Sequence, residues 1–203
     1  RNLKVWQKLV LMGAVFMLPF AAVASKLYSS INEMGVEFAR QEVRGLDYHA
    51  PLARLLRSVQ RHRDMMSAQL SGDQSFREDV DKVVVEIEGH LQAVDVIDRD
   101  SDAALHTSKR WASLRAACRD LLALPSTISA GESLRRDNAV IDDTVGLFSA
   151  IGDSSGLTLD SSIDSYYLAN FLVLKGPELT EVLSQARAGG TRWLAGGRRT
   201  PDD

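Results

Sequence analysis

Along this chain apolar side chains recur at helical spacing, and nowhere do they alternate over enough positions to compete as a strand. Residues 9–25 carry no charge at all, and the apolar positions Ile31, Met34, Phe38 and Leu46 continue the run at helical intervals. Leu52, Leu55, Leu56 and Val59 then form part of a buried stripe that Ser71-Gly72-Asp73 stops, which predicts a first long helix and a tight turn. Pro51 cannot donate to the carbonyl four residues back, so a kink or short break is expected near His49. A second amphipathic helix is read from Phe76, Val80, Val83, Val84, Ile87, Leu91, Val94 and Ile97; its long helical period outweighs the β-branched run Val83-Val84-Val85. Beyond a polar stretch at 99–102, Trp111, Leu114, Cys118, Leu121 and Leu122 mark either a separate helix or the far end of the second, up to Pro125.

Ser129 and Glu132 match a capping box ahead of a third stripe, Leu134, Ile141, Val145, Phe148 and Ile151, which the glycines of 152–156 end. The last pattern holds Tyr166, Tyr167, Leu168, Phe171 and Leu172, is interrupted at Lys175-Gly176-Pro177, and restarts with Glu178. Long helices with short turns imply an all-α, up-and-down antiparallel bundle resembling a four-helix bundle.

The uncharged run also sets a compartment. Lys4 and Lys8 precede it, Lys26 follows it, and Trp6 stands where an interfacial aromatic would. The run is at the short end of the roughly 17–25 residues that a spanning helix needs, but the flanking lysines can snorkel, and Leu27 and Tyr28 extend the apolar face. The competing reading is a cleavable signal peptide, with Pro19 as helix breaker and Ala22-Val23-Ala24 as the small-x-small site. The continuing apolar period favours an anchor. The expected division is a cytoplasmic N-terminus at 1–8, a transmembrane anchor at 9–28, and an extracytoplasmic domain at 29–203.

A chain of 203 residues suffices for one domain with an accessory segment. Its net charge of -3, with cations scattered among acids, offers nothing to nucleic acid. The single Cys118 forms no intramolecular disulfide and sits at a core-facing position. Both ends read as cut: the chain opens on Arg1 without an initiator Met, and Thr200-Pro201-Asp202-Asp203 reads as the cap and first turn of another helix. The sensor domain is therefore expected to be incomplete.

There is no Gly-rich phosphate loop, nucleophile elbow, HExxH or Cys/His ligand set, so neither an enzyme nor a cofactor or metal site is read. None of the histidines, His49, His62, His90 and His106, pairs with another at helical spacing; Glu86 and His90 lie one turn apart. Arg57, Arg61, His62 and Arg63 cluster near the end of the first long helix, where they can bind an anion or solvate a face. Met65-Met66 beside them reads as packing. Residues 156–167 combine a polar loop, the acids Asp160 and Asp164, and the adjacent Tyr166 and Tyr167, which diverge by about 100° on a helix, so that one hydroxyl can face a groove.

With these residues in view, the chain resembles the periplasmic sensor region of bacterial methyl-accepting chemotaxis proteins and related transmembrane sensor histidine kinases. The likeness is carried by NLKVWQKLVLMGAVFMLPF, GVEFARQEVRGLDYHAPLARLL, VQRHRDMMSAQLSGD and above all LTLDSSIDSYYLANFLVLKGPELTE. Family members often have Pro and Asp where this chain has Ser161 and Ser162, and often Gly in place of Asp64. The resemblance implies a homodimeric inner-membrane receptor with two membrane helices flanking a periplasmic bundle, followed inside by a HAMP linker and a signalling module. Its ligand would be a small molecule or a periplasmic binding protein, with Arg57, Arg61, Arg63, Asp164, Tyr166 and Tyr167 as candidate contacts. A histidine kinase or diguanylate cyclase output, or a secreted helical binding protein released at Ala24, are the alternatives.

Overall fold

The computed structural model describes residues 4–125, 127–158 and 163–196, and defines their side chains except at 102, 103, 163–165 and 189–196. The fold is all-α, and among the described residues no strand occurs. Among the described residues six α-helices follow one another: α1 (Val5–Leu70), α2 (Arg77–Leu105), α3 (Ser108–Leu122), α4 (Ala130–Ser155), α5 (Ile163–Asn170) and α6 (Gly176–Gly196). A 3-10 turn (Gln74–Phe76) precedes α2, and a π-helical segment (Phe171–Lys175) joins α5 to α6.

The chain divides into two compact units between Arg40 and Gln41. In the first, no described side chain is buried, and Leu9, Val10, Val15, Phe16, Phe20 and Val23 are all more than half exposed. This stretch is long and apolar enough to cross a membrane, a property that a signal sequence shares.

The second unit holds the core. Tyr48, Leu52, Leu55 and Val59 of α1 are fully buried, with Val83, Ile87, Leu91 and Val94 of α2, Trp111, Leu114 and Cys118 of α3, and Ile141, Leu147 and Phe148 of α4. Each such side chain contributes roughly 1.5–3 kcal/mol through burial. Pairs across the unit set the helix directions. Tyr48 meets Asp98, Ser58 meets His90 and Arg61 meets Glu86, so α1 and α2 run antiparallel. Ser108 meets Asp98 and Trp111 meets Asp95, so α3 turns back along α2. His49 stacks on Phe148 while His62 bonds Asp137, so α4 is antiparallel to α1. Gln60 with Glu181 and Asp64 with Arg187 run in step, so α6 is parallel to α1. This is an up-and-down bundle.

The helix ends follow from local chemistry. Gly72, at φ 114°, takes the left-handed conformation that ends α1, and Asp73 caps the 3-10 turn by accepting from Ser75 N at 3.1 Å. His106, at φ 52°, separates α2 from α3, so the Trp111 stripe is a helix of its own. Ser129 caps α4, its hydroxyl accepting from Glu132 N at 3.2 Å, while the Glu132 carboxylate pairs with Arg135 and Arg136. That half of the expected capping box is formed.

Of the kink or short break expected near His49, the break is absent: α1 passes through Pro51 without interruption. Pro51 is itself buried, between the fully buried Tyr48 and Leu52, and this packing offsets the one lost backbone bond. Pro177 behaves otherwise. The segment before it widens to a π turn in which Gly176 N–H reaches back to the Phe171 carbonyl. The helix start expected at Thr200 and the acid Asp160 lie outside the described residues.

Candidate functional site

The polar groups of the bundle gather at two levels. At one, Asp98 is buried, with Tyr48 OH donating to Oδ1 at 3.0 Å, Thr107 Oγ1 donating to Oδ1 at 2.8 Å and Ser108 Oγ donating to Oδ2 at 2.6 Å. Burial, with the Asp98 charge adding to it, pushes the Tyr48 phenol well above the usual range. These hydroxyls satisfy Asp98 and tie the start of α3 to α1 and α2, a structural arrangement.

The second level lies where the end of α1 faces α4 and α6. His62 Nδ1 donates to Asp137 Oδ1 at 2.7 Å, and both side chains are almost wholly buried. Next to them Arg63, 3% exposed, donates through Nη1 to Glu181 Oε1 at 2.5 Å and Asn138 Oδ1 at 3.0 Å, and through Nη2 to Ser184 Oγ at 3.0 Å. Glu181 also accepts from Gln60 Nε2 at 2.8 Å and Gln185 Nε2 at 2.7 Å. Asp64 takes Arg187 Nη2 at 2.6 Å and lies 3.6 Å from Arg63 Nε. One run of α1, Gln60 to Asp64, is thereby hydrogen-bonded to two other helices. Three ionised side chains and a histidine this deep persist only because each is paired.

Against this cluster opens a cavity of about 590 Å³, bounded by the end of α1, the turn at Ser71 to Phe76, Leu134 of α4 and Arg187 of α6. Met65, Ala68, Phe76 and Leu134 give it apolar walls, and Arg61, Arg63, Asp64, Asp73 and Arg187 supply its charges. The Ser75 hydroxyl and backbone amide hold the Asp73 carboxyl below the usual carboxylate range.

Of the candidate residues, Arg61 and Arg63 line this cavity and Arg57 does not; its Nε instead donates to the carbonyl of Ala53 in its own helix at 3.3 Å. Tyr166 and Tyr167 pack edge to face at 5.5 Å, with Tyr167 68% exposed. They sit about 20 Å along the helical run from Glu181, so the structure does not bring them to the arginines. The side chain of Asp164 lies outside the described residues. Met65 packs against the core, as expected, and also lines the cavity.

Glu86 and His90 take different partners, Arg61 at 3.1 Å and Ser58 at 3.0 Å, and burial, with Arg54 adding to it, holds His90 below its usual value. Burial likewise pushes the Cys118 thiol up to about 12, which keeps it protonated and unreactive.

Asp137, Glu181 and Ser184 are members of the site that sequence pattern did not single out. Their signal is a polar residue on a buried register: Asp137 follows Ser133 by four and precedes Ile141 by four on the core face of α4. No family model, no curated protein and no solved structure matches the chain.

Proposed function

We propose that this chain is the extracytoplasmic ligand-input part of a bacterial transmembrane chemoreceptor, the alternative being the input part of a sensor histidine kinase or diguanylate cyclase. The observation that carries the reading is helix α1. A single helix, Val5–Leu70, contains both the exposed apolar stretch suited to a membrane and, from Gln60 to Asp64, the residues that bind α4 and α6 together. A ligand that favours one of two packings of that cluster would bias the membrane-proximal part of the same helix, which is signalling by a shifted equilibrium rather than by chemistry. The resemblance adds a homodimer, and Leu168, Phe171, Leu179, Val182 and Leu183, all substantially exposed, are apolar surface for a second copy.

The test uses the inertness of Cys118. Asp81→Cys places a thiol on an exposed position, and a membrane-impermeant maleimide added to cells with a permeabilised outer membrane should label it, in protein that stays with detergent-extractable membranes. Soluble protein whose N-terminus is Ser25 would overturn the anchor, and labelling only after lysis would overturn the location.

A further inference from the structure

The cavity beside Arg63 has a chemistry of its own. Its volume, about 590 Å³, suits a small organic molecule, and Met65, Ala68, Phe76 and Leu134 offer it carbon rather than polar surface. Its charged wall counts three arginines, Arg61, Arg63 and Arg187, against two carboxylates, Asp64 and Asp73. Each carboxylate is engaged through one oxygen, Asp64 Oδ2 by Arg187 at 2.6 Å and Asp73 Oδ1 by the hydroxyl and amide of Ser75 at 2.6 and 3.1 Å, while Asp64 Oδ1 is buried without a hydrogen-bond partner, 3.6 Å from Arg63 Nε. A cationic ligand that took Arg187's place on Asp64 would leave that guanidinium, 63% exposed, beside it.

Anions meet the opposite situation. Arg61 and Arg187 have side chains 48% and 63% exposed; Arg61 is held by a surface pair with Glu86, and Arg187 by Asp64, whose side chain is 21% exposed. A surface pair is worth about 0–1 kcal/mol, so the Arg61 guanidinium can turn from one carboxylate to another at little cost. Arg63 is fixed at 3% exposure by Glu181, Asn138 and Ser184, so its guanidinium stays at the inner wall with its charge already paired. An inorganic anion would leave the apolar walls unused.

We propose that this cavity binds a small organic monoanion, a carboxylate carried on an aromatic or aliphatic body, with the body against Met65, Ala68, Phe76 and Leu134 and the carboxylate at Arg61 and Arg187. The assignment deepens the input-domain reading and rests on it for its purpose. Binding is measured on the purified chain, so a failure here leaves the result on membrane topology as it stands.

The full 203-residue chain in lipid nanodiscs is titrated calorimetrically with hexanoate, 3-phenylpropionate and indole-3-acetate, and with the amide of each. The expected result is saturable binding of at least one acid, about tenfold or more tighter than its amide, since a hydrogen bond to a charged group is worth about 1.5–3 kcal/mol. Ala68→Phe, which fills the cavity, should abolish that binding, and Arg61→Gln or Arg187→Gln should weaken it about threefold or more with helicity unchanged. Absence of saturable binding by every acid overturns the site, as does unchanged affinity in Ala68→Phe. Should Ala68→Phe not fold, unchanged affinity in both arginine variants overturns it equally. An amide that binds as tightly as its acid overturns the anion.

Discussion

Where a charge sits decides what its loss costs. Asp137 and Arg61 each pair with a side chain on a neighbouring helix, but Asp137 is 1% exposed at its side chain and Arg61 is 48%. Removing one partner of a buried, hydrogen-bonded pair strands the other in a low dielectric and costs about 3–5 kcal/mol, whereas an exposed pair is worth about 0–1 kcal/mol. Asp137→Ala should therefore lower the unfolding free energy by about 3 kcal/mol in urea, and Arg61→Ala by less than about 1 kcal/mol. Equal losses in the two variants would show that the His62–Asp137 bond carries no special weight. Sequence pattern pointed to Arg61 and Arg63 but passed over Asp137 and Glu181. An arginine cluster is visible as adjacent letters, while the carboxylates that complete it come from α4 and α6 and become neighbours only when the helices pack. Cys118 was legible because its role needs only its own register within α3.

At the scale of elements, the two interior prolines show what periodicity conveys and what it omits. The apolar spacing located the helices of the bundle, the stop at Gly72 and the cap at Ser129. It could not distinguish Pro51, absorbed in a buried turn of α1, from Pro177, which is preceded by a π segment. The difference lies in who satisfies the freed carbonyls. In a π turn the Leu172 carbonyl would accept from residue 177, which has no N–H to give; His49 Nε2 donates to it instead at 2.7 Å, so that ring nitrogen carries the proton. His49→Ala should then cost about 1–2 kcal/mol through the orphaned carbonyl and the lost packing on Phe148. Adding Pro177→Ala restores an N–H within reach, so the double variant should regain part of that loss. A double-mutant cycle from urea unfolding reads the coupling directly, and strict additivity would mean that Pro177 is not why His49 is needed.

For the whole molecule, hydropathy separates an apolar N-terminal stretch from the part that packs on itself, and the structure draws the line between its two compact units at Arg40 and Gln41. Hydropathy alone drew it nearer residue 28, because apolar positions such as Ile31, Met34 and Phe38 continue the helical period without being buried in the chain. Among the described residues every buried one lies at Gly45 or beyond, so a chain of residues 41–203 loses none of these core contacts and should unfold in a single cooperative transition. It should also self-associate. Leu179, Val182 and Leu183 are 47%, 62% and 60% exposed on α6, and Leu168 and Phe171 extend that apolar surface. Burying a Leu or Val contributes about 1.5–3 kcal/mol, while association costs about 4–15 kcal/mol, so five such residues per copy are enough to favour a dimer. Sedimentation of this fragment should move from monomer to dimer as concentration rises from about 1 to 100 μM. Val182→Asp with Leu183→Asp should hold it monomeric at unchanged helicity, because neither side chain is in the core. A fragment that stays monomeric throughout that range without the substitutions removes this face from the dimer and leaves the membrane helix as the place to look for one.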